Sequence, residues 1–200
     1  MMSRGSHPLL VAVCALVLLS SLVILPEATK AQLATVDSIP YIFVPNGQNA
    51  ELLIDSQDSV YWLHVVSGGV YFRKYNSSKQ LEIPDKVLYQ NGMNERVDAV
   101  WDAFGNIHFT WATSYFGGMS VMYAKVDSSG DFFVSPIRLS GNNTAWDYGS
   151  AIDVNSIGQA YVAWDYWWDP GDPLDEDVLY AKVDTDGSIM FTQQYVAPVA

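Results

Sequence analysis

The densest collection of groups able to do chemistry lies between Tyr166 and Asp177, where Tyr166, Trp167 and Trp168 are followed by Asp169, Asp172, Asp175, Glu176 and Asp177. Exposed tryptophans stack on sugar rings or peptide side chains, and carboxylates beside them accept hydrogen bonds from hydroxyls or hold Ca²⁺ through oxygen. Trp146, Asp147 and Tyr148 stand shortly upstream and add to the same aromatic and acidic set. The candidate ligand-binding residues are therefore Trp146, Tyr148, Tyr166, Trp167, Trp168, Asp169 and Asp172. Asp175, Glu176 and Asp177 are candidate Ca²⁺ ligands, although their spacing departs from the Asp-x-Asp-x-Asp-Gly calcium loop. The alternative use of this segment is structural, with Trp167 and Trp168 packing on a neighbouring unit while the acids keep a long loop solvated. Asp169 with Asp172 or Glu176 could in principle hydrolyse a glycoside, but nothing in the sequence fixes their separation.

Other chemistries find no support. His64 and His108 follow the N-terminal segment without a second ligand at metal spacing, no serine sits in a Gly-x-Ser-x-Gly elbow, and no glycine loop is built to cradle phosphate. No cofactor other than Ca²⁺ is suggested. The 200 residues carry 10 Lys and Arg against 22 Asp and Glu, a net charge of −12, which argues against binding to nucleic acid or to anionic lipid through a basic face. Half of the residues are apolar and 14% are aromatic, so the chain is not disordered.

Part of that apolar half belongs to the N-terminus. Arg4 precedes an uncharged run from Leu9 to Leu25, and small residues at Thr29 and Ala31 follow Pro26. This predicts a secretory signal peptide over 1–31, hence a secreted or cell-surface protein with no membrane association beyond the leader. An uncleaved anchor is the competing reading. Beyond Ala31 the chain has no cysteine, so disulfides and thiolate chemistry are excluded and core packing alone must stabilise it. Loss of Arg4, Lys30 and Glu27 moves the balance to −13 in the mature chain.

The elements that must position the acidic aromatic segment come from internal repetition. Residues Trp101 to Trp111 match Val154 to Trp164, and Val121 to Gly130 match Val178 to Gly187. A weaker copy runs from Leu53 to His64 and from Val70 to Lys79, with Asp58 and Lys79 in place of glycine and His64 in place of tryptophan. Each unit reads as four short strands. Asp or Asn followed three residues later by Gly105, Gly158, Gly130 or Gly187 marks the structural turns, and the strands alternate in β-branched and aromatic residues. Short turns at one end leave the variable connections at the other, where binding usually evolves. Lys74, Lys125 and Lys182 recur at one strand position, which argues for a structural duty such as pairing with a carboxylate.

A recurrence of roughly 50 residues with four strands per unit is the signature of a propeller blade. The pattern resembles the blade repeats of secreted surface β-propellers and is distantly similar to the Asp-box propellers that include sialidases. The turns at Asp127 to Phe133 and Asp184 to Phe191 keep an acid, the glycine and an aromatic residue but not the box itself. The resemblance implies an all-β fold of about three four-stranded antiparallel propeller-like blades, a partial β-propeller, over approximately 48–92, 93–144 and 145–200. A segment 32–47 precedes them, whose Tyr41 to Val44 could supply a closing strand. It does not extend to sialidase chemistry, because Arg73, Arg96 and Arg138 are scattered. The expected function is a non-catalytic binding module for carbohydrate or protein through the aromatic acidic rim. The alternatives are a fragment of a sialidase-like glycoside hydrolase and a structural envelope repeat protein. Three blades leave open sheet faces, so a homodimer or the remainder of a longer chain is expected to complete the propeller.

Overall fold

The computed structural model describes residues 47–66, 68–140, 146–167 and 176–195. The expected signal peptide and the strand expected at Tyr41 to Val44 lie outside them. The described residues form twelve strands: β1 (Gly47–Ile54), β2 (Val60–Val66), β3 (Gly69–Tyr75), β4 (Leu81–Tyr89), β5 (Asn94–Trp101), β6 (Ile107–Thr113), β7 (Ser120–Val126), β8 (Phe132–Arg138), β9 (Trp146–Val154), β10 (Ala160–Trp167), β11 (Glu176–Val183) and β12 (Ile189–Tyr195). They pair in chain order into three four-stranded antiparallel meanders, β1 to β4, β5 to β8 and β9 to β12. These are the propeller-like blades of an all-β fold. No helix among the described residues is long and apolar enough to cross a membrane.

Five-residue turns close the same end of every sheet. In the first-to-second turns, the side-chain oxygen of Asp55, Asp102 or Asn155 accepts two backbone N–H groups, from residues two and four positions on. Asn76 and Asp127 do the same in the third-to-fourth turns of the first two sheets. This is the local reason for Asp and Asn at these places, since the carboxylate or amide satisfies donors that the ladder leaves unpaired. The fourth residue of each turn has positive φ: Gly105 (81°), Gly130 (73°), Gly158 (82°) and Gly187 (89°), and also Asp58 (62°) and Lys79 (63°). The first sheet thus holds two non-glycine residues in the left-handed region that its companions reserve for glycine.

The middle sheet decides the packing. All seven residues of β6 and all seven of β7 are buried, because both faces of this sheet are covered. One core joins Leu63, Val65, Val70 and Phe72 of the first sheet to Ile107, Phe109, Trp111 and Ala124 of the second. The other joins Val121 and Tyr123 of the second sheet to Ala160, Val162, Trp164 and Ala181 of the third. The first strands form the inner edge of the stack, with β1 against β5 and β5 against β9. Polar links cross the junctions: Asp98 Oδ2 accepts the Ile152 N–H at 2.8 Å, and Lys86 Nζ lies 2.7 Å from Asp131 Oδ1.

His64 occupies the register position of Trp111 and Trp164 and is buried, its ring stacked on Tyr71 at 5.6 Å between centroids. The recurring lysines do pair locally, though not identically. Lys74 Nζ meets Glu82 at 3.2 Å, Lys125 Nζ lies 3.5 Å from Asp102, and Lys182 Nζ lies over the Tyr161 ring at 5.1 Å.

Candidate functional site

Opposite the tight turns, the inner strands share a distortion that sequence reasoning missed. In each sheet the ladder between the first two strands carries one extra residue, between Gln48 and Ala50, between Glu95 and Asp98, and opposite the step from Ala163 to Asp165. The bulges hold Asn49 (φ 53°), Arg96 (φ 49°) and Gly149 (φ 61°) in the left-handed region. Each lies six residues before the Asp or Asn that opens the following turn, and that constant offset is the signal that could have revealed them. A bulge re-aims the side chains around it, and a left-handed arginine is strained.

The second and third bulges meet. A Cβ placed on Gly149 would come within 2.5 Å of Asp165 Oδ2 and 3.2 Å of Arg96 Nη1, so the carboxylate of β10 and the guanidinium of β5 converge on the bare Cα of β9. Tyr148, next to the bulge and paired with Asp165 across the ladder, turns its ring edge-on to Trp167 at 6.5 Å. Its hydroxyl is pushed up in pKa by burial and by Glu95, and held down in part by Arg96. Trp167 is exposed, as are Tyr115 and Phe116 in the connection after β6. The Phe116 ring lies under the Arg138 guanidinium at 4.5 Å. Behind this surface the buried Asp147 accepts the Trp164 Nε1–H at 3.2 Å. Burial raises the Asp147 carboxyl, against the lowering effect of Ser140, Trp164 and Arg138.

The structure places the expected site residues as follows. Trp146, Asp147 and Tyr148 lie in β9 and Tyr166 and Trp167 in β10, within strand pairing rather than in the connections where the sequence placed them. Trp167 faces Trp146 on one side and Glu176 on the other in the ladder. Backbone donors and acceptors paired in the ladder extend the hairpin this far. Trp168, Asp169, Asp172 and Asp175 lie outside the described residues. Glu176 and Asp177 are consecutive in β11, positions that belong to opposite faces of a sheet. Among the described residues no cluster of three or more His, Cys, Asp or Glu could hold a metal ion.

A second acidic feature sits on the inner strands. Glu51 of β1 and Asp98 of β5 occupy equivalent positions, and burial together with the Asp98 charge raises the Glu51 carboxyl. Asp98 itself is committed to structure, its two oxygens accepting the N–H groups of Ala99 and Ile152.

No protein-family model matches the chain, and no curated protein is found similar to it. Solved structures are similar in fold. An endo-1,4-β-xylanase from Bacteroides thetaiotaomicron superposes with a TM-score of 0.51 at 12% identity, over 78% of this chain and 62% of that one. A family PL25 ulvan lyase bound to a GlcA(1-4)Rha3S oligosaccharide gives 0.58 at 11% identity, over 76% and 44%. A xylan β-1,4-xylosidase from Bacillus halodurans gives 0.50 at 14%, over 73% and 33%. This chain therefore spans less than two thirds of each of these proteins. At such identities the likeness establishes the propeller-type all-β architecture and nothing about residues.

Proposed function

We propose that this chain is a secreted or cell-surface β-propeller-like module that binds carbohydrate without chemistry of its own, at the rim built by Arg96, Tyr148, Gly149, Asp165 and Trp167. The observation that carries this reading is the convergence of a guanidinium and a carboxylate on Gly149 beside the Tyr148 and Trp167 rings. Aromatic faces take the C–H surface of a sugar ring, while Asp165 accepts and Arg96 donates hydrogen bonds to its hydroxyls. The net charge of −12 favours neutral glycans over polyanionic ones. The solved structures of similar fold have carbohydrate-acting names, which is support by analogy of fold.

A glycan array followed by titration of the retained sugar tests the reading. Binding without turnover is expected, with Trp167→Ala weakening it about tenfold, the order expected for loss of a stacking contact. Unchanged affinity in both Trp167→Ala and Asp165→Asn would remove the rim from consideration. The second reading, a glycoside hydrolase fragment, would draw on the inner-strand carboxylates Glu51 and Asp98, which hold equivalent ladder positions in β1 and β5, with Glu51 raised by burial and by the Asp98 charge. Sugar release that disappears in Glu51→Gln would establish it in place of the binding module.

A further inference from the structure

The two junctions between sheets bury apolar side chains at the same positions, and the terminal sheets carry apolar side chains at those positions too. Each sheet has a forward face toward the next sheet in the chain and a rear face toward the preceding one. On the forward faces, Val70 and Phe72 of the first sheet and Val121 and Tyr123 of the second are fully buried. The same positions on the forward face of the third sheet are Val178 and Tyr180. Val178 is 45% exposed, and Tyr161 on that face is exposed as well. Ala151, Asp153, Tyr161, Ala163 and Tyr180 line an open depression of about 510 Å³ there.

The rear faces show the complementary difference. Ala99 and Trp101 of β5 pack into the first core, and Ile152 and Val154 of β9 pack into the second. The equivalent residues of β1 are Leu52 and Ile54, which are 53% and 56% exposed. Apolar residues are therefore retained at junction positions on both outer sheets although no sheet covers them among the described residues.

We propose that two copies of this chain associate head to tail, the forward face of the third sheet of each copy packing on the rear face of the first sheet of the other, to close a ring of six blades. The occupant is a second copy because the two exposed faces are the two halves of the junction already built twice within one copy. A heterologous contact that closes after two copies leaves no free face, which removes the liability of two unpartnered sheets. The polar link of the second junction, which the first lacks because Lys74 pairs with Glu82, has its residues in place at the proposed contact. Lys125 Nζ of the second sheet donates to the Thr185 carbonyl in the third-sheet turn at 3.5 Å. Lys182 holds the Lys125 position and Ser77 the Thr185 position, so Lys182 reaches Ser77 of the other copy. Tyr180 replaces Phe72, and Lys79 replaces the Gly130 that rests on Phe72, giving this junction a more polar character than the internal ones.

The test is the mass of the full chain in solution by light scattering, together with two charge variants. Twice the chain mass of 22.2 kDa is expected, or twice the mass of the processed chain if the leader is removed. Val178→Glu and Ile54→Lys should each give monomers, and mixing the two should restore a dimer, because one junction is then wild type and the other pairs the introduced charges. A monomeric wild type overturns the proposal. So does a dimer broken by Val178→Glu but indifferent to Ile54→Lys, since that would be a forward-to-forward contact. Should either variant fail to fold, the Lys182→Cys, Ser77→Cys double variant must be joined into a covalent dimer by a short bismaleimide, whose spacer replaces the reach of the lysine side chain, with Lys182→Cys alone as control; absence of the cross-link overturns the arrangement.

Discussion

Asp102 Oδ2 lies 3.2 Å from His108 Nε2, with both side chains closed off from solvent at the junction of the second and third sheets. On the other side of the imidazole, Tyr123 Oη lies 2.8 Å from His108 Nδ1. The arrangement fits a neutral ring that donates from Nε2 to the carboxylate and accepts the tyrosine proton at Nδ1. It has the outline of a catalytic relay, yet no solvent reaches it, and its role is to satisfy polar groups inside the core.

Acid sensitivity follows from this pair. Burial lowers the His108 pKa despite the Asp102 carboxylate, so the folded protein binds fewer protons than the unfolded chain once pH drops below the ordinary histidine value. The stabilisation is complete above about pH 6.5 and declines as pH falls below it. Burial would raise Asp102, but hydrogen bonds from Asn106, His108 and Phe104 outweigh it and hold the carboxyl at about 2. Its contribution is lost lower still, as pH falls from the ordinary aspartate value through about 2. Thermal melts between pH 7.5 and pH 5 should show a falling Tm. His108→Gln should lower Tm at neutral pH and flatten the dependence, with His64, also depressed by burial, carrying the remainder.

Asp58 and Lys79 should be replaceable by glycine with a gain in stability. A left-handed conformation costs a side-chain-bearing residue about 1–2 kcal/mol, partly offset by the greater freedom of glycine in the unfolded chain. Asp58→Gly and Lys79→Gly should each stabilise by about 0.5–1 kcal/mol, read as a rise in the urea midpoint without change in slope.

Alanine at the turn glycines should separate two costs. A Cβ at Gly105 meets nothing within 4 Å, whereas at Gly130 it would lie 2.8 Å from Phe72 Cδ1 and at Gly187 2.5 Å from Val134 Cγ1. Gly105→Ala should cost about 1 kcal/mol from backbone strain alone. Gly130→Ala and Gly187→Ala should cost about 3 kcal/mol, because the turn must also withdraw from the preceding sheet. Denaturant titration of the three variants side by side checks the ranking.

Gly149→Ala should uncouple ligand recognition from stability elsewhere. The new methyl group would displace Asp165 Oδ2 and crowd Arg96 Nη1. Affinity for the retained glycan should fall by at least the tenfold expected of Trp167→Ala, while Gly105→Ala, at the opposite end of the strands, should leave it unchanged. Equal affinity in Gly149→Ala and wild type would show that Arg96 and Asp165 do not contact the ligand.

The architecture was legible in the chain because its causes are local. Asp or Asn at the start of a turn and a left-handed residue at its fourth position repeat with the hydrogen bonds they make, and strand alternation follows the pleat. Even Asp58 and Lys79, which break the glycine rule, keep the turn, since the side-chain acceptor three residues earlier fixes the backbone. The strand limits at the far end were not legible. Whether Tyr148, Tyr166 and Trp167 lie in connections or in a ladder depends on cross-strand partners distant in sequence. The bulge residues Asn49, Arg96 and Gly149 share no residue type, so their constant six-residue offset from the turn is the one trace they leave in the sequence, and the ladder shows what that offset means.

The sequence by itself determined a chain with a single cysteine, Cys14, a strong acidic excess and four strands per unit, because composition and turn chemistry need only near neighbours. Tertiary structure decided that the middle sheet is covered on both faces, that Asp102, His108 and Tyr123 are joined, and that Arg96 and Asp165 converge on one glycine. Those relations depend on which face of each sheet meets its neighbour, and the period-two pattern of a strand names the two faces without saying which of them will be covered.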